Sequence, residues 1–202
     1  SPPPCWTRSR TSRFSSCCSD PGAKPGRPWP AGARCPSSSS QSSEILTLFN
    51  YNYWANARAL EAAAEVSDAQ FTAPAGLSHG SLRGSLVHIL SAEWVWRLRC
   101  QEGISPAGLL AEADYPNMES LRERWQAEEE SMRGFLSGLD DDALTKPVEY
   151  TTTRGQPFET ILWHLLVHVV NHGTQFRAEA ALELTGYGQS PGDLDFIFFL
   201  RG

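Results

Sequence analysis

Three histidines, His164, His168 and His172, stand four residues apart within Ile161–Arg177, ILWHLLVHVVNHGTQFR. In a helix, a step of four residues rotates the side chain by only about 40°, so all three fall on one stripe. Imidazoles at i and i+4 close on one metal ion when their ring nitrogens converge. Ile161, Leu162, Leu165, Leu166, Val169 and Val170 make the segment apolar almost all round, the pattern of a buried helix. A buried imidazole needs a partner, since an unpaired buried polar group costs about 1–3 kcal/mol. A metal is one such partner; a carbonyl, a carboxylate or a buried water is another.

Elsewhere the reactive residue types read as structural. Trp54, Trp94, Trp96 and Trp163 recur at helical spacing and are expected in the core. Glu93, five residues after His88, points off the histidine's face, which suits a structural ion pair or cap better than a general base. Cys100 has no histidine beside it in sequence and reads as a small buried hydrophobe. No Gly-rich phosphate loop, nucleophile elbow or pair of catalytic carboxylates is apparent.

Four helical stretches must position these residues. The first spans about Ser43 to Val66, with Ile45, Leu46, Leu48, Phe49, Tyr53, Ala57 and Leu60 in helical spacing. After a loop over residues 67–80, a second runs from about Ser81 to Gln101, with Leu82, Leu86, Ile89, Leu90 and Trp96 on its stripe and His88 inside the apolar run. The third, about Asn117 to Leu139, is polar, capped by Asn117 and closed by Gly138, and its EEE run reads as a solvated face. Lys146–Phe158, KPVEYTTTRGQPF, alternates β-branched residues about an RG turn and predicts a short hairpin. The fourth helix, Phe158 to about Leu184, carries the histidines and stops at Gly186. The apolar FIFFL near the end is expected to pack on the helices or on a second subunit. The fold class is therefore all-α, a four-helix bundle with a short β-hairpin in one connection, where cofactor sites form between facing helices.

Charge divides the 202 residues in two. Residues 1–43 carry six basic residues (Arg8, Arg10, Arg13, Lys24, Arg27, Arg34) and one acid, Asp20, a net of +5. The remaining 159 residues carry a net of −11, within a total of −6. Rich in Pro, Ser, Gly and Arg and lacking apolar periodicity, residues 1–43 are expected to be a disordered extension. With no initiator methionine, they read as an upstream extension with no fold of its own. Residues 44–202 form the domain. An acidic domain disfavours nucleic acid as a partner, because such binding rests on cations meeting phosphates. No run of 18 apolar residues predicts a membrane span, and a lone domain cysteine, Cys100, suits a reducing, cytoplasmic setting.

Four motifs give these helices a family resemblance: YNYWAN at Tyr51–Asn56, LVHILSAEWVW at Leu86–Trp96, HVVNHGTQFRAEA at His168–Ala180, and PGDLDFIFFLR at Pro191–Arg201. In order and spacing they cover nearly all of residues 44–202, and the chain resembles the DinB-like superfamily of stress-associated bundle proteins. The resemblance implies an up-down-down-up bundle with one long crossover, often a homodimer. It also implies a divalent metal, Zn or Ni, held by three histidines, and in part of the superfamily a transferase or hydrolase type of chemistry that uses low-molecular-weight thiols. The ligand on the second helix looks like His88, and the first of two on the last helix looks like His172. The third is expected at position 176, where this chain has Phe176, in Gln175-Phe176-Arg177-Ala178-Glu179. A phenyl ring cannot ligate. His168, one turn before His172 on the same face, offers a substitute, giving His88, His168 and His172 as an alternative triad, with Gln175 or Glu179 as possible oxygen donors. Two functions follow: a metal-dependent enzyme, or a non-catalytic dimeric bundle with a degenerate metal site.

Overall fold

The computed structural model describes residues 40–202, so the expected extension lies, but for its last residues, outside them. Of these, residues 41–43 are helical. Helix α1 spans Gln41–Ala64, and the Ser40 hydroxyl accepts the Ser43 N–H at 3.2 Å, so the helix starts a little before the expected Ser43. A capping box at Ser67 and Gln70 opens the short α2, Asp68–Thr72, inside the stretch expected to be loop. Helix α3 spans Leu82–Arg97, capped by Ser81, and its last turn widens into a π-helical turn over Leu98–Glu102. Asn117 caps α4, Met118–Ser137, as its sequence predicts. The short α5, Asp141–Leu144, precedes an antiparallel hairpin of β1, Pro147–Thr151, and β2, Pro157–Ile161. Phe158 pairs with Tyr150 and Thr160 with Val148 in its ladder. Because β2 holds Pro157–Ile161 in its ladder, α6 begins at Leu162 rather than at Phe158, and it runs to Gly186. Helix α7, Phe196–Arg201, ends the chain.

The described chain is thus largely helical with one two-stranded hairpin. Both α1 and α3 pack against α4 and α6, which places a hydrophobic core between the long helices. On α6 the inward ridge is Leu162, Leu165, Leu166, Val169, Val170, Gly173, Arg177, Ala180 and Leu184. His164 and His168 are exposed and His172 is half-buried, so the histidine stripe is the rim of α6 and not its buried face. The EEE expectation also needs correcting. Glu128 is buried and takes both Arg97 Nε, at 2.5 Å, and Arg97 Nη2, at 3.2 Å, with Arg124 adding a third bond at 3.1 Å. The FIFFL segment folds back onto α1, where Phe196 and Phe199 meet Tyr51 and Phe199 meets Trp54. No helix among the described residues is long and apolar enough to cross a membrane.

Candidate functional site

Where α3 passes α6, His88 and His172 come together, their Nε2 atoms 3.0 Å apart and their ring centroids 4.7 Å apart. Burial is the main cause that pushes the pKa of each down to about 4. Neighbouring imidazoles add to this, His79 on His88, and His88, His168 and His79 on His172. Both rings are therefore neutral at pH 7, and one Nε2–H donates to the other ring's lone pair. His172 Nδ1 is buried without a partner. An orphaned lone pair costs less than an orphaned N–H, which favours His172 Nε2–H as donor and His88 Nε2 as acceptor.

His168 does not join them. Its exposed ring sits 5.7 Å from that of His172, turned edge-on to Trp96 at 5.3 Å. His164 packs on its neighbour Trp163, outside the cluster. The third ring of the cluster comes instead from His79, in the loop before α3, which stacks on His88 at 3.6 Å with the planes 20° apart. The loop folds back because the Ala75 N–H reaches Gly80 O, Gly80 takes a φ of +77°, and Glu179 on α6 accepts the Ser78 N–H and Oγ–H at 3.0 and 2.7 Å. Glu179 is thus a clamp on this loop. A side chain at Gly84 would collide with the His79 carbonyl, so a glycine in the first turn of α3 makes the close approach possible. That misplaced-looking helix glycine is the sequence signal for His79, which spacing alone overlooks.

Phe176 fills the remaining side. Its ring lies 4.5 Å from His88, 4.6 Å from His172 and 5.1 Å from His79. A three-histidine metal centre does not fit this donor set. Two imidazoles on one tetrahedral zinc stand about 3.3–3.4 Å apart, close to the pair seen here, but the third direction holds a hydrocarbon ring. His172 Nδ1 also lacks the acceptor that normally anchors a metal-ligating imidazole. Among the described residues no three His, Cys, Asp or Glu side chains are grouped to share an ion. Gln175 is exposed. A small cleft of about 120 Å³ opens beside His79 and His88, edged by Ser91 and Glu112.

Behind this rim lies a buried polar relay that sequence spacing does not reveal. Asn52 and Asn56 of α1 each donate to Glu93 Oε1, at 2.8 and 3.0 Å, and each accepts from Arg177 Nη1 of α6. Glu93 makes neither a direct ion pair nor the cap its sequence position suggests: its oxygen takes the two asparagine amides, and Arg177 is reached only through them. Burial raises the Glu93 pKa, opposed by the asparagine hydrogen bonds and by Arg177. Cys100 is inert, its thiol pushed up to about 12 by burial.

A sequence model of the DinB family matches residues 39–202. Protein DinB of Bacillus subtilis strain 168 is 27% identical over 165 residues, spanning 76% of this chain and 92% of that protein.

Proposed function

The chain belongs to the DinB family, and from that premise we propose that it is a non-catalytic binding member whose metal position is degenerate. The observation that carries this is Phe176, packed at once on His79, His88 and His172 where the third ligand is expected. The two remaining imidazoles are neutral and hydrogen-bond each other through Nε2, so the nitrogens that would face an ion are already engaged. The reading takes the four long helices as an up-down-down-up bundle and the working form as a cytoplasmic homodimer. The outward face of α7, with Ile197, Phe198 and Leu200 exposed, supports a second copy as partner. The stress association rests on family resemblance.

The second reading, a divalent-metal enzyme acting with a low-molecular-weight thiol, is favoured by one observation: His88 and His172 are converged and unprotonated, the form that ligates Zn or Ni. Metal content of the full chain by plasma mass spectrometry, after zinc loading and dialysis, separates the two. We expect no stoichiometric metal in the native chain and stoichiometric metal in Phe176→His. Stoichiometric metal in the native chain, lost in His172→Ala, overturns the first reading in favour of the enzyme.

A further inference from the structure

The histidine cluster is closed. His88 has the His79 ring stacked on one face at 3.6 Å, Phe176 edge-on at 4.5 Å and His172 against its Nε2. The cleft that remains beside His79 and His88 holds about 120 Å³. Small-molecule sites begin at about 300 Å³. A ligand therefore reaches His88 only when one of the three rings moves, and the three are not held equally.

Phe176 and His172 belong to α6, whose ridge is buried against α1 and α3. His79 belongs to residues 73–80, between α2 and α3. No residue of that segment is buried, whereas Phe71 before it and Ser81 and Leu82 after it are. Two of its hydrogen bonds, Ala75 N–H to Gly80 O and Gly80 N–H to Leu77 O, stay within the segment. Among the described residues, only Ser78 ties residues 74–80 to another element by hydrogen bonds. Both go to Glu179 and both lie at the surface, where water replaces them at small net cost. A segment with no buried side chain and surface hydrogen bonds opens without unfolding the rest. Gly80, at a φ of +77°, gives it a pivot beside the buried Ser81. We propose that residues 73–80 are a gate over the His88–His172 pair, with the Ser78–Glu179 bonds as its latch and His79 as the part that covers His88. The gate rests on the reading of this cluster as the binding site, yet its test reads access alone and needs no metal, so the two fail separately.

Gly84 supplies a wedge for the test. A Cβ there would stand 2.1 Å from the His79 carbonyl oxygen, which is relieved only if the segment moves away. Histidine carbethoxylation of the full chain by diethyl pyrocarbonate, followed residue by residue by mass spectrometry, measures access, with the exposed His164 and His168 as internal references. In the native chain His88 should react at least about tenfold more slowly than His168. Glu179→Ala, which removes the latch, should speed the labelling of His88 about tenfold, and Ser78→Ala, which keeps the main-chain bond, by less. Gly84→Ala should speed it at least as much as Glu179→Ala. In all three variants hydrogen exchange should quicken in residues 73–80 and stay native in α3 and α6. Native His88 labelled as fast as His168, labelling unchanged in Glu179→Ala, or a rise matched by faster exchange throughout α3 would overturn the proposal, since the segment would then stand open already or be an integral part of the fold.

Discussion

Helices α3 and α6 each present one residue to the rim and, five positions later, one to the core: His88 then Glu93, His172 then Arg177. Five residues turn a helix by about 140°, so the two pairs meet on different sides of the same helix contact. In the core, two asparagines join Glu93 to Arg177, and both charged side chains are at most 2% exposed. At the rim, ring stacking and a single imidazole–imidazole bond hold the cluster. A hydrogen-bonded relay specifies the identity of every member, because removing one leaves a buried group unpaired. A ring stack specifies only flatness and size. This difference explains how a phenyl stands at position 176 without disturbing its neighbours, while Arg177 beside it is locked into the relay.

The sharpest way to break that contrast is Arg177→Met, which leaves Glu93 buried without its cation. It should cost about 3–5 kcal/mol in urea unfolding, and Glu93→Gln added to it should recover part of the loss. A cost below about 1 kcal/mol would place the core on the same footing as the rim. A smaller effect is expected for Gly173→Ala. A Cβ there would stand 2.8 Å from Arg177 Nη1 and 2.9 Å from Asn52 Oδ1, neither of which has room to move, so we expect a loss of about 1–3 kcal/mol. His172→Asn, one residue earlier but on the rim, should cost less when measured the same way.

What the sequence discloses follows the same division. Apolar spacing and Ser, Asn and Gly punctuation place the long helices and the hairpin close to their observed limits. The meeting of His88 with His172 is legible only through the family motif, since their separation of 84 positions says nothing by itself. Which side of Leu162–Arg177 faces inward is not legible, because Trp163 and Val167 make the rim as apolar as the ridge, and only packing against α1 and α3 decides. The relay escapes for a related reason. Asn52 and Asn56 are an ordinary i, i+4 pair until Glu93 and Arg177 arrive from two other helices. His79 escapes because loop residues carry no periodicity, although Gly84 marks the place where something must come close.

The gentlest probe of the comparison is acid, because the two regions respond to it with opposite sign. The imidazoles of His88 and His172 stay neutral in the folded chain down to about pH 4, whereas in the unfolded chain they protonate near 6.5. Unfolding between those values takes up protons, so the rim's contribution falls as pH drops from about 6.5 to about 4 and changes no further below that. Glu93 runs the other way. Its folded pKa is raised above the ordinary 4.5, so in the window above that value the folded chain binds a proton the unfolded chain does not, and acidification favours folding there. The thermal midpoint of the native chain should therefore decline below pH 6.5. The decline should flatten in a His88→Gln, His172→Gln double variant and steepen in Glu93→Gln, where the opposing carboxyl is gone. A native profile level from pH 6.5 to 4, unchanged by either substitution, would mean that the rim imidazoles are solvated like free histidines and that the cluster is no more than surface contact.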